Sequence, residues 1–150
     1  MNTLALTPRL LESAYRQGYF PMYDPDTGET SWYSPDPRAI LPLEAFHVSR
    51  SLKRCLRRGE FRISLNSAFR KVMEYCAADR TDGTWISGEF VDAYEALHRE
   101  NKCHSVEVWL GDSLVGGTYG VALGGGFFAE SMFHRKTDAS KVALFFLTNH

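Results

Sequence analysis

Three groups of residues in this sequence have the types and spacing to do chemistry. The first is a lone carboxylate, Glu130, set in GFFAESMF with Phe127, Phe128, Met132 and Phe133 around it. An ionised carboxylate among apolar neighbours is costly, so Glu130 either turns to water at a strand end or requires a protein partner or a cationic ligand. The second is SRSLKRCLRRG, where Arg50, Lys53, Arg54, Arg57 and Arg58 recur at helical spacing with no acid among them. On a helix much of this charge shares one surface, which serves either as a solvated face or as a partner for a phosphate backbone. The third is an isolated Trp85 in a polar stretch, a core anchor or the wall of a pocket.

Other chemistries find little support. The three cysteines, Cys55, Cys76 and Cys103, are far apart and contain no C-x-x-C pair, so neither a disulfide framework nor a zinc site is indicated. His98 and His104 lack acidic or cysteine partners at ligand spacing and read as structural or exposed. No Walker loop, no G-x-G-x-x-G opening a helix, and no legible Ser, Cys or His catalytic arrangement is present. Seventeen Lys and Arg stand against eighteen Asp and Glu, which excludes a generally basic chain and leaves room for a local basic face. The N-terminal MNTLALTPRLLES lacks the basic start and continuous apolar run of a signal peptide, and no long uncharged apolar stretch follows. The expectation is a soluble, cytoplasmic protein.

The elements that must position these residues follow from periodicity. With 150 residues and 44% hydrophobic content, the chain can bury a sizeable core. Thr7 and Pro8 open a helix over 9–17, with Gly18 as its stop. Residues 19–38 carry four of the six prolines and five aromatic residues in their first fifteen positions, and read as an aromatic loop or hairpin packed on a neighbour. A short strand is expected at 39–43, then a helix capped by Ser49 and ended by Gly59. Phe61, Ile63 and Leu65 alternate as a strand, and Asn66 is placed to cap a helix burying Phe69, Val72, Met73 and Cys76. A polar turn at 78–87 leads into a helix over 88–101. Residues 105–110, 114–122 and 127–132 then form a three-stranded meander with a glycine turn at 124–126. Last comes a helix capped by Thr137 or Asp138, with Val142, Ala143, Phe145 and Phe146 buried. This order argues for an α+β or α/β fold built on one central sheet.

The segments YRQGYFPMY, WYSPDPRAILP, HVSRSLKR, CAADRTDGTWI, HSVEVW, LVGGTYG and FFAESMFHRKTDASKVAL, in this order, resemble bacterial leucyl/phenylalanyl-tRNA protein transferases over nearly the whole chain. The resemblance implies an α+β protein with a small N-terminal domain at 1–37. A partial GCN5 N-acetyltransferase-like domain with a mostly antiparallel central sheet follows at 38–150. It also implies transfer of Leu or Phe, and less readily Met, from aminoacyl-tRNA to proteins with N-terminal Arg or Lys, in the N-degron route of degradation. The partners implied are Leu-tRNA, Phe-tRNA and such a protein or peptide, with no metal, no membrane and no cofactor.

Residue by residue, the resemblance makes Glu130 the catalytic glutamate. It makes Met22, Trp85, Thr118, Phe127, Met132, Leu144 and Leu147 the lining of the amino-acid pocket, and Arg50, Lys53, Arg54, Arg57 and Arg58 the tRNA-binding cluster. Thr118 stands where some relatives have Met, and Met22 where they have Trp. The family's Asp-x-Gln pair, on a strand beyond this chain's last helix, occurs nowhere in the 150 residues. A truncated chain that is incompletely folded and impaired in activity is therefore expected. Two alternatives are an acetyl-CoA-dependent N-acyltransferase, disfavoured because HRKTDASK offers no glycine for a pyrophosphate loop, and a non-catalytic tRNA-binding module.

Overall fold

The computed structural model describes residues 5–80 and 83–150. Residues 81 and 82, which belong to the turn expected at 78–87 and to the DGTWI motif, lie outside the described residues, as do residues 1–4.

Helix α1 (Pro8–Arg16) starts where expected: the Thr7 hydroxyl accepts the Leu10 amide at 3.2 Å, and Leu11, Ala14 and Tyr15 are buried. The proline-rich stretch resolves as a hairpin, β1 (Phe20–Asp24) antiparallel to β2 (Glu29–Tyr33). The strand expected at 39–43 does not form. Residues 39–42 are irregular and exposed, Ile40 at 82%, and only a 3-10 turn at Leu43–Ala45 follows. Apolar residues there have no neighbouring strand to pair with, and Pro42 lacks an amide hydrogen for a ladder.

Helix α2 (Arg50–Arg58) is capped by the Ser49 hydroxyl on the Leu52 amide at 3.2 Å, and ends on Gly59 in the left-handed region at φ 64°. Strand β3 (Arg62–Leu65) leads to α3 (Phe69–Ala78). Asn66 does not cap α3. It sits at φ 56°, and its side-chain oxygen accepts the Ser105 amide at 3.0 Å. The start of α3 is held instead by Glu107, a fully buried carboxylate from the sheet. Glu107 accepts the Ser67 and Ala68 amides at 3.3 Å each, the Ser64 and Ser67 hydroxyls at 2.7 and 2.9 Å, and the Ser105 hydroxyl. A buried charge is tolerable only with this degree of satisfaction.

Helix α4 (Gly88–Arg99) precedes β4 (Cys103–Leu110), β5 (Ser113–Leu123) and β6 (Gly126–His134), each strand longer than its periodic core suggested. The sheet runs β3-β4-β5-β6 and every pairing is antiparallel. Helix α5 (Ala139–Asn149) follows. Its expected side-chain cap is absent, because Asp138 adopts φ 68° and its carboxylate takes the Lys141 ammonium at 2.9 Å. Val142 and Ala143 are buried, but Phe145 is half-buried and Phe146 is 39% exposed, so the inward face of α5 is narrower than expected.

The sheet is the middle of three layers. On one face Phe69, Val72, Met73, Phe90, Tyr94 and Leu97 of α3 and α4 pack with Tyr119, Val121 and Phe133, and α1 joins this core through Leu11 and Tyr15. On the other face Leu52, Ala139, Val142 and Ala143 pack on Val106 and Val108. Gly116 permits the second contact, since a Cβ there would stand 2.6 Å from that of Ala139. The arrangement is α+β with antiparallel sheets and a small N-terminal part. Among the described residues no helix is long and apolar enough to cross a membrane.

Candidate active site and nucleic-acid interface

Glu130 lies within β6, not at its end, and at a break in the ladder. Tyr119 pairs with Ser131 while the next residue, Gly120, pairs with Ala129, which leaves Glu130 as the extra residue of a β-bulge. A bulge re-aims the side chain it carries. Here the carboxyl is set among Tyr15 of α1, Tyr94 of α4, and Tyr119 and Cys103 of the sheet, with Arg38 nearby. Part of Glu130 still meets solvent, but its carboxyl sits deep among protein atoms. Burial pushes it up to about 7, against which the Tyr15 hydroxyl and the Arg38 charge act in part. A carboxyl poised near neutrality can take up and return a proton at physiological pH.

The phenols around it respond to the same burial and to the same negative charge: Tyr15, Tyr94 and Tyr119 are all raised well above the ordinary tyrosine value and stay neutral, and the buried Tyr119 hydroxyl has no hydrogen-bond partner among the described residues. The Tyr15 and Tyr94 hydroxyls share a hydrogen bond at 2.7 Å. Tyr94 stacks on Phe90 at 6.1 Å, and Phe90 meets Trp85 edge-on at 6.2 Å. Trp85 is thus tied by contact to the pair beside Glu130. A second link runs through Arg80, whose guanidinium carbon lies 5.7 Å from the Trp85 ring centroid and which donates to the Ser131 hydroxyl at 2.9 Å.

A cavity of about 1170 Å³ opens at the end of the sheet that carries the turn between β5 and β6, on the α5 side, and reaches across to Leu65 and Asn66 at the end of β3. Phe127, Leu144 and Leu147 line it, together with Leu41, Leu43 and Val106. Its wall is mostly apolar, and Arg38 is the one Lys or Arg among its lining residues. Of the seven residues assigned to an amino-acid pocket, these three converge on the cavity. Thr118 is fully buried beneath the sheet surface and donates to the Ser131 carbonyl at 2.9 Å, while Met132 is 44% exposed. Met22 is half-buried in the hairpin. Met22, Trp85, Thr118 and Met132 do not line the cavity, and neither does Glu130. Among the described residues no cluster could hold a metal ion.

All five cations of α2 are exposed, and among the described residues none of them forms an ion pair. Leu52 faces inward from the same helix, which is why the basic residues stand together outward. Arg54 and Arg58 border a cleft of about 210 Å³ with Lys136 and Thr137, and Glu60 and Asp138 line the same cleft, so its charge is mixed. His98 and His104 have structural partners, His98 with the Cys103 carbonyl at 2.7 Å and His104 with the Asn66 amide at 3.1 Å.

Tyr15, Tyr94, Arg38 and Arg80 escaped the sequence reading of the site. Both tyrosines occupy core positions at helical spacing, where a phenol and a phenyl ring give the same pattern. Arg38 and Arg80 sit in irregular stretches that periodicity does not describe.

Comparison with known proteins bears on what this arrangement is. The sequence model described as leucyl/phenylalanyl-tRNA protein transferase matches residues 40–150, and that of the N-terminal domain of the same transferase matches residues 5–36. A leucyl/phenylalanyl-tRNA protein transferase of Akkermansia muciniphila is 52% identical over 147 residues, covering 97% of this chain and 76% of the relative. One from Legionella pneumophila is 50% identical over 144 residues, covering 95% and 64%, and one from Nitratidesulfovibrio vulgaris is 52% identical over 145 residues, covering 95% and 62%. The chain thus spans 62–76% of the length of these relatives. The bulged carboxyl, the apolar cavity and the basic helix therefore sit in a chain that belongs to the leucyl/phenylalanyl-tRNA protein transferase family of aminoacyltransferases.

Proposed function

We propose that this protein moves Leu or Phe, and less readily Met, from aminoacyl-tRNA to the α-amine of proteins beginning with Arg or Lys, marking them for degradation by the N-degron route in the cytoplasm. The observation that carries the proposal is the apolar cavity lined by Phe127, Leu144 and Leu147 on the same strand-and-helix unit as the Glu130 bulge. In this reading the amino-acid side chain enters the cavity along Phe127, Leu144 and Leu147, while Met22, Trp85, Thr118 and Met132 lie outside its lining. Arg50, Lys53, Arg54, Arg57 and Arg58 hold the tRNA. Residues 1–37 form a small unit leaning on a GCN5 N-acetyltransferase-like transfer domain at 38–150.

The chemistry is a displacement at an ester already activated on the tRNA. The α-amine nitrogen attacks the ester carbonyl carbon, the carbon to ribose-oxygen bond breaks, and the ribose oxygen leaves with a proton. The proton that the amine loses passes to the leaving oxygen, and Glu130, which lies outside the cavity lining, supports the site through its network with Tyr15 and Tyr94. Holding both reactants together supplies much of the rate. An apolar pocket separates Leu, Phe and Met weakly, because a methylene more or less changes binding by only about 1–3 kcal/mol. Acetyl-CoA is a poor fit, since the connection from β6 to α5 has no glycine and its Asp138 carboxylate is committed to Lys141.

The test is transfer of labelled Phe from Phe-tRNA to a peptide beginning with Arg, with a peptide beginning with Asp as control. It is run with this chain and with a form extended to the length of its relatives. Label is expected on the Arg peptide alone, and Glu130→Ala is expected to suppress transfer while tRNA affinity holds. No transfer by either form rejects the proposal.

A further inference from the structure

Arg38 bridges the hairpin and the sheet, and its charge also acts on the Glu130 carboxyl of β6. Its guanidinium carbon lies 5.4 Å from the ring centroids of both Phe20 of β1 and Phe128 of β6, and one N–H donates to the Gly18 carbonyl at 3.1 Å. Two rings and a carbonyl therefore fix the guanidinium at the rim of the large cavity. The side chain spans the gap between the N-terminal hairpin and the sheet edge. One of its five donors is used in this way, and among the described residues it forms no ion pair. The cavity it borders is otherwise apolar along Phe127, Leu144 and Leu147, and the adjoining wall is the glycine turn at 124–126, which offers no side chain.

A guanidinium fork held in place with donors to spare, beside an apolar recess, suits a ligand that joins an apolar group to an oxyanion. We infer that Arg38 grips the phosphodiester on the 5′ side of the terminal nucleotide of the tRNA while the aminoacyl group occupies the cavity. The inference rests on the transferase reading above and deepens it. In an aminoacyl ester of the terminal ribose, the 5′-phosphate is the first anionic group met on moving away from the amino acid. A recess that takes the aminoacyl end leaves that phosphate at the rim. The cations of α2 face outward from a different helix and serve phosphates further along the acceptor stem. Arg38 thus aligns the ester, and the α2 ridge supplies non-specific attraction.

The test measures affinity of the 150-residue chain for two non-hydrolysable amide analogues, 3′-phenylalanylamino-3′-deoxyadenosine with and without a 5′-phosphate. The phosphate is expected to tighten binding about tenfold in the wild-type chain and less than about twofold in Arg38→Gln, with Arg38→Lys between them because it keeps the charge and loses the fork. Thermal melts of all three proteins check the fold. A phosphate gain that persists in Arg38→Gln overturns the inference, as does the absence of any gain in the wild type. If Arg38 acts only through Glu130, both analogues weaken alike and the gain survives, which is also an overturning result. If neither analogue binds the wild-type chain, the transferase reading falls and this inference with it.

Discussion

The hydroxyls of Tyr15 and Tyr94 lie 2.7 Å apart in the core and join the first helix of the chain to the fourth, directly beside the Glu130 carboxyl. Tyr15 is 3% exposed and Tyr94 is fully buried, so neither hydroxyl can turn to water if the other is removed. Tyr15→Phe is expected to cost about 1–3 kcal/mol, the penalty of leaving the buried Tyr94 hydroxyl unpaired, and Tyr94→Phe less, because the Tyr15 hydroxyl keeps the Glu130 carboxyl as a partner. Urea denaturation of Tyr15→Phe, Tyr94→Phe and the double variant checks this. The double variant is expected to cost less than the two single changes added together, because the second substitution removes the orphan left by the first. Simple additivity argues against the pair acting as a unit.

Glu130 makes stability depend on pH in the direction opposite to a salt-bridged carboxylate. Its folded value of about 7 lies above the ordinary glutamate value of 4.5, so the native state holds the proton more tightly than the unfolded chain. The contribution is fully present below about pH 4.5 and is lost as pH rises through 7. It amounts to about 3 kcal/mol at most, given that Glu130 retains some solvent contact. Glu130→Gln is therefore expected to melt higher than wild type at pH 8 and nearly level with it at pH 4, while losing transfer activity. A variant that is destabilised at pH 8 means the charged carboxylate is well satisfied where it sits.

The meander, the helices and the basic face of α2 follow from local rules, because Ser49, Gly59, Thr7 and the glycine turn at 124–126 act on residues next to them. What could not be read depends on pairing between distant segments. Glu130 stands out in sequence by its apolar neighbours, but the bulge exists only because Tyr119 and Gly120 pair with residues two apart on β6. The start of α3 shows the same limit. Asn66 has the chemistry of a cap, yet the cap is supplied from β4, and the freed Asn66 accepts the Ser105 amide. Residues 39–43 have strand-like composition and no partner strand, so composition misleads there. The cavity brings together Phe127, Leu144 and Leu147 from two elements whose packing no periodicity specifies, and the resemblance groups them with Met22, Trp85, Thr118 and Met132, which lie outside its lining.

Glu107 holds the start of α3 from within the sheet. It is fully buried and its two oxygens accept from two amides and three hydroxyls, linking β3, β4 and the first turn of α3. Glu107→Gln keeps the shape but replaces one acceptor oxygen with a donor that faces the donors already there. A loss of about 2–4 kcal/mol is expected, with amides at the start of α3 losing hydrogen-exchange protection before the rest of that helix. Uniform loss of protection across the sheet instead means that Glu107 braces the whole fold and not the helix end.

The α2 ridge gives a prediction that separates electrostatic holding of tRNA from recognition at the cavity. Arg54 and Arg57 are exposed and are not among the residues that line the cavity, so reversing both to Glu leaves the core and the cavity unchanged. Each phosphate contact contributes about 0.7–0.9 to the slope of log binding constant against log salt. The Arg54→Glu, Arg57→Glu variant is therefore expected to bind tRNA more weakly at low salt and with a slope shallower by about 1.4–1.8, while its affinity for a short 3′-aminoacyl-adenosine amide is unaltered. Filter binding across a salt series reads the slope, and calorimetry reads the small analogue. An unchanged slope removes the ridge from the tRNA interface. A parallel loss of affinity for the small analogue means that the reversed charges act on the cavity through the field of the protein, not through contact with the nucleic acid.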